Sequence, residues 1–246
     1  MVSVKGFCYG IRANNLPIHL ESPITFMRNK SEEAYNQLEQ LITFRELTPG
    51  TMVSESQLMA LTNLGRTPVR EAVQKLSAEK MVEIHPRKGI LIPLMSVEVQ
   101  LKLLEVRRPL EELAVRFAAQ RATAGEKGAM SQLADQLLGF CDYQDPKRYG
   151  EILKKVHQAI ADSTRNEYLT MAIRPLQGLS RRFWFAHIQS CEQEFTTAAK
   201  LHSTTLEAIC QGNEDKAAKA SLALNDYLTE FAYQSIRMDA QSRQTA

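Results

Sequence analysis

The chain has 246 residues and a formal net charge of +2, long enough for two ordinary domains and too near neutral to coat nucleic acid without regard to its sequence. No stretch approaches the ~18 apolar residues of a membrane span, and residues 1–27 lack the continuous apolar core of a secretory signal, so the protein is expected to be cytoplasmic. Four cysteines, at positions 8, 141, 191 and 210, show no CxxC or paired spacing and are expected to be reduced thiols. In chain order, residues 1–27 carry no helical or strand period and are expected to form a loosely ordered extension. Residues 28–93 then form one unit and residues 94–240 a second.

The first unit opens on an amphipathic stretch, SEEAYNQLEQLITFRE, expected to be helical. Next comes a start signal: Ser54 can accept the Gln57 backbone N–H while the Gln57 side chain reaches back, a capping box before Leu58, Met59 and Leu61. That helix ends near Thr62 and Asn63, and Gly65 precedes a second helix with Arg66, Thr67 and Pro68 in its first turn, where proline's missing N–H has no partner to lose. Val69, Ala72, Val73 and Leu76 fall at i, i+3, i+4 and i+7 and predict the buried stripe. Arg66, Arg70 and Gln74 share another face. Two guanidinium groups near the start of an exposed helix suit a major groove, where each can take two bonds from a guanine edge. Met81–His85 and Ile90–Ile92 are short β-prone runs around Pro86-Arg87-Lys88-Gly89, a basic hairpin able to approach phosphates. The order helix, turn, arginine-headed helix, hairpin is that of a winged helix-turn-helix.

LTPGTMVSESQL followed by GRTPVREAVQKLSAEKMVEIHPRKGI resembles the DNA-binding domain of the GntR family of bacterial transcription regulators, over about residues 31–93. The resemblance implies operator contacts from Arg66, Thr67, Arg70, Lys88 and Gly89, to which the helix face adds Gln74. Gly65 departs from the family's usual serine; as an N-cap glycine gives up only a few tenths of a kcal/mol, but a hydroxyl able to touch phosphate is lost. Six basic residues against three acidic ones lie between Arg66 and Lys88, so the positive charge is local.

Beyond Pro93 the pattern is helical, with breakers at Ala124-Gly125, Asp145-Pro146 and Gly212-Asn213, and predicts an all-α unit of about six helices. Its first helix is expected over about Val97 to Arg121, with Leu101, Leu104, Leu110, Leu113, Ala114, Phe117 and Ala118 as its apolar stripe. EVRRPLEELAVRFAAQRA, VHQAIADSTRN, LHSTTLEAICQGN and DKAAKASLALNDYL resemble the FCD-type effector domain of the FadR-like branch, extending the likeness over most of residues 31–235. The fold expected is thus mainly α, a winged helix-turn-helix followed by an FCD-type bundle.

In most FCD domains, the resemblance implies, a carboxylate and three histidines hold a divalent metal that helps to bind a carboxylated small molecule. Here His157 and His202 match two of the histidines, the family aspartate falls on Leu153, and the third histidine falls at Leu224 or Asn225. Two histidines alone rarely hold zinc, so no tightly bound cofactor is expected; zinc, nickel or manganese, if held, would sit on His157 and His202. A carboxylate effector then needs another anchor, and Arg107, in the pattern Glu105, Arg107, Leu110, Glu111, is the chosen one, with His157, His202 and Asn225 around it. The competing role for Arg107 is a salt bridge with Glu111, and Trp184 is expected to be ordinary core. The resemblance implies a homodimer reading an inverted-repeat operator, commonly a repressor relieved by a metabolite, with activation as the alternative. A metal-dependent enzyme and a sequence-tolerant architectural DNA binder are the rivals, and neither nucleophile spacing nor strong basicity supports them.

Overall fold

The computed structural model describes the backbone of residues 23–244 and the side chains of residues 30–237, and most of the expected N-terminal extension lies outside them. Helix α1 (Pro23–Thr43) begins five residues before the expected boundary at 28. Ala34, Leu38 and Ile42 recur every four residues on its buried side, and Arg45, in the left-handed region at φ 62°, ends the run. The Ser54–Gln57 capping box forms as read: Gln57 N donates to Ser54 Oγ at 3.2 Å and Ser54 N to Gln57 Oε1 at 2.8 Å, opening α2 (Glu55–Thr62). Asn63, at φ 54°, turns the chain into α3 (Arg66–Ala78), which buries Val69, Ala72, Val73 and Leu76.

The hairpin is β2 (Glu83–His85) with β3 (Gly89–Leu91), antiparallel, with Ile84 opposite Ile90. A two-residue strand missed in the sequence, β1 (Met52–Val53), pairs with the other edge of β3, giving the order β1-β3-β2. Two residues are too few for any alternation to register. Gly89 is required here: its φ is +120°, and an added Cβ would stand 2.8 Å from the Val53 carbonyl oxygen. Gly89→Ala should therefore destabilise the first domain by about 2 kcal/mol and loosen the β1–β3 pairing, read by urea unfolding and by faster exchange of the β3 amides.

Six helices follow among the described residues: α4 (Val97–Arg121), α5 (Ala124–Leu138), α6 (Pro146–Ser163), α7 (Glu167–His187), α8 (Cys191–Cys210) and α9 (Glu214–Gln244). The break expected at Ala124-Gly125 lies two residues earlier, at Ala122-Thr123. Thr123 caps α5 in a box with Glu126, so Gly125 sits in its first turn. Helix α4 is central, packing on α9, α7, α6 and α8. Its buried stripe differs from the one expected: Leu113 is 40% exposed, and Gln100, Arg107 and Glu111 lie buried among Leu103, Leu104, Ala114, Val115 and Ala118. Polar groups thus occupy core positions, and the others of the bundle close over them.

The two domains are docked. Phe44, just past α1, packs on Phe185 of α7 with ring centroids 4.8 Å apart, and Leu179 of α7 packs against both cores. On α6, Gly150 makes this seam possible, since a Cβ there would come within 2.6 Å of Phe44 Cζ. Arg182 donates to the main-chain oxygens of Met81 and Pro93. Lys147 of α6 pairs with Glu46 at 2.8 Å.

Candidate nucleic-acid interface and buried cavity

On α3 the buried stripe fixes which residues face out. Arg66, Thr67, Arg70 and Gln74 are exposed, and Arg66 keeps 73% of its side chain accessible with only a loose 4.0 Å approach to Glu55. Gly65 caps the helix with no side-chain bond. In the hairpin turn Arg87 adopts φ 65°, Lys88 N donates to His85 O at 3.1 Å, and the Arg87 and Lys88 side chains are exposed. The sequence-selected basic residues therefore stand on the surface of one small domain.

The four family positions in the second domain also converge. Leu153, His157, His202 and Leu224 all line one cavity of about 30 Å³, together with Arg107 and Arg181. Of the two candidate positions for the third histidine, Leu224 lines the cavity and Asn225 turns instead to Glu111, its Nδ2 donating to Glu111 Oε2 at 2.9 Å. Arg107 is 2% exposed and donates from Nη2 to Glu111 at 2.8 Å, so the salt bridge exists, buried, within a residue that also walls the cavity. Gln177 Nε2 gives Glu111 a third donor at 3.1 Å. Burial raises the Glu111 carboxyl, but Arg107, Gln177 and Asn225 together outweigh it and hold the group below its ordinary value. Trp184 is core, donating from Nε1 to Tyr227 Oη at 2.9 Å, and its ring reaches the cavity as well.

Among the described residues no cluster of three or more His, Cys, Asp or Glu is placed to hold a metal. The His157 ring argues the same way. Arg181 Nη1 lies 3.3 Å from His157 Nδ1, and since a guanidinium only donates, Nδ1 accepts and the neutral ring carries its proton on Nε2. Nε2 is therefore a donor, not a lone pair for a cation, and two arginines flank it.

Both histidines are kept neutral by burial. His157 is pushed well below its ordinary value, with His202, Arg107 and Arg181 adding to the effect, and His202 falls to about 4 despite the opposing pull of Glu111. The unfolded chain binds these protons from pH 6.5 downward while the folded one does not, so stability is complete above 6.5 and drains away as the pH falls toward 4. From pH 7 to pH 5 His202 alone should remove about 2 kcal/mol. Urea unfolding at several pH values should show this slope, and His202→Gln should flatten it.

Two residues that decide this architecture went unread in the sequence, Arg181 on α7 and Glu39 on α1. The signal was a pair of arginines, Arg181 and Arg182, set in an otherwise apolar helix stretch, LSRRFWF. Arg181 is 9% exposed and Glu39 5%, and the Arg181 Nη2 group donates to Glu39 Oε1 across the domain seam.

Residues 30–92 match the gntR family of bacterial regulatory proteins, and residues 102–226 match the FCD domain. The chain belongs to the GntR family. It is similar to the Nta operon transcriptional regulator of Aminobacter aminovorans, at 32% identity over 179 residues, covering 71% of this chain and 81% of that protein. It is also similar to the galactonate operon transcriptional repressor of Escherichia coli, at 22% identity, covering 80% and 93% of the two chains. Among solved structures, E. coli McbR/YncC superposes with a TM-score of 0.68 at 17% identity, covering 84% of this chain and 98% of that one, a likeness of fold. This GntR protein is a DNA-binding transcription regulator and not an enzyme, with a winged helix-turn-helix head and a helical FCD domain. No helix among the described residues is long and apolar enough to cross a membrane.

Proposed function

We propose that this regulator is a homodimeric, operator-specific repressor whose DNA affinity is set by a small carboxylate bound in the FCD cavity without a metal. One observation carries the effector reading: the cavity is walled by Arg107, Arg181 and two neutral histidines with no acidic side chain, and Arg107 Nε and His157 Nε2 are buried donors lacking any partner. An unpaired buried donor is costly, and an anionic oxygen between these two would satisfy both. Two arginines and no carboxylate in the lining favour an anion over a cation. Arg66, Thr67, Arg70 and Gln74 would read the major groove, with Lys88 and Gly89 at the wing against the backbone. Dimer formation has a candidate surface in the exposed apolar residues Val99, Val106 and Leu113, seven apart on α4, with Tyr233 and Ile236 exposed on α9, the helix packed along it.

Binding-site selection from random DNA should return an inverted repeat bound more than tenfold tighter than random sequence at fixed salt. Relatives are named for galactonate, gluconate and L-lactate dehydrogenase operons, so galactonate, gluconate and L-lactate are the first carboxylates to add. One member of a carboxylate panel should weaken operator binding at least fivefold, unaffected by chelator. Metal at one equivalent per chain in elemental analysis would overturn the metal-free site; a carboxylate-insensitive operator affinity would overturn the effector class.

A further inference from the structure

Arg181 is held from two sides. Its Nη2 donates to Glu39 Oε1 on α1 of the DNA-binding head, while its Nη1 lies 3.3 Å from His157 Nδ1 in the cavity wall. Glu39 is buried and spends its other oxygen on Lys154 Nζ of α6, at 2.6 Å. Burial raises the Glu39 carboxyl, but Arg181 and Lys154 prevail and keep it charged, below its ordinary value. One guanidinium thus links the head directly to the wall of the ligand cavity.

Space points the same way. The inner cavity, about 30 Å³, has room for roughly two waters, so it can take the carboxylate group of an effector while the rest of the molecule stays outside. Outside it lies a cleft of about 660 Å³ between α1 and α3 on one side and α6 and α7 on the other, within the size range of ligand sites. Arg181 and His157 line both spaces, so they form the partition between them. A carboxylate approaching from the cleft meets Arg181 at this partition, beside Glu39, and competes for the same guanidinium.

We propose that Glu39–Arg181 is a latch: an anionic effector group takes Arg181 from Glu39, and Glu39, left with Lys154 alone, moves into water and carries α1 and the DNA-reading head with it. This ion pair ties α1 to α7, so loss of either partner loosens the docked head, and when Arg181 is the one withdrawn the stranded Glu39 carboxylate is also driven toward water. This rests on the cavity being an anion site. The coupling is reciprocal: whatever factor the effector applies to operator affinity, the operator applies to effector affinity.

The test uses the full chain, its selected operator, and gluconate, galactonate, L-lactate and acetate as probes. Ligand-free Glu39→Gln, with its helical content and cooperative unfolding retained, should shift operator affinity at least fivefold in the direction a bound carboxylate drives the wild type. It should also bind that carboxylate at least fivefold more tightly, because Arg181 is already released. Lys154→Met, which keeps the latch, should stay within twofold on operator. Should Glu39→Gln fail to fold, Arg181→Lys, unable to reach both Glu39 and His157, is expected to give the same operator shift. An operator affinity within twofold of wild type for the folded latch variant, or an equal shift in Lys154→Met, overturns the latch alone. A wild type that binds operator yet ignores every probe removes the cavity reading and the latch with it.

Discussion

Arg70→Ala should weaken operator binding by about 1–3 kcal/mol per half-site while leaving affinity for random DNA within a few-fold. The residue is exposed at the second turn of α3 and makes no ion pair or hydrogen bond with the described residues, so its removal has no folding consequence to confuse the result. Its neighbours on the inward side, Val69 and Val73, hold the helix in place regardless. Fluorescence anisotropy on operator and scrambled duplexes at one salt concentration measures the ratio, with circular dichroism as the control. Retained discrimination would mean that another surface of the head reads the bases. Lys88→Ala should behave oppositely, lowering affinity for both duplexes and reducing the salt slope by about one.

Arg107→Met carries the largest expected change in stability. It leaves Glu111 buried with Gln177 and Asn225 as its only donors, and breaking a buried pair from one side costs about 3–5 kcal/mol. Arg107→Met with Glu111→Leu should regain most of that, because an apolar pair of similar volume has no charge to desolvate. The pH response separates the two causes. In the wild type the Glu111 carboxyl lies below its ordinary value, so its contribution is present at neutral pH and is lost as the pH falls through the carboxylate range. In the single variant burial goes unopposed by the guanidinium and the group is raised instead, so the deficit should shrink on acidification. Urea unfolding of the three proteins at pH 7 and pH 5 measures this; equal deficits at both would mean that lost packing, not the stranded charge, is responsible.

The head was legible in the sequence because its rules are local. A capping box spans four residues, a proline marks the first turn of α3, and the buried stripe repeats within a dozen positions. The strand β1 escaped because a two-residue pairing is decided by β3, far along the chain. In the second domain helix number and the span of α4 followed from periodicity, whereas the buried line Gln100, Arg107, Glu111 contradicts the expectation that charged residues face water. Only the partners explain it, and they come from other helices: Ser180 for Gln100, Gln177 and Asn225 for Glu111. Of the positions the resemblance singled out, His157, His202, Leu153 and Leu224 line one cavity, and Asn225 does not. Nothing local could show that Arg181 meets a carboxylate 142 positions away, since that pairing exists only once the domains dock.

The tight approach at Gly150 bears on how such regulators can be recombined. A head borrowed from a relative would arrive with its own side chain in place of Phe44, facing a socket cut to this ring by Gly150 and Phe185. Chimeras joined between the wing and α4 should therefore keep both parts folded yet respond to metabolite poorly, unless the aromatic at 44 and the acid at 39 travel with the graft. Sensor and reader in this chain are machined as a matched set.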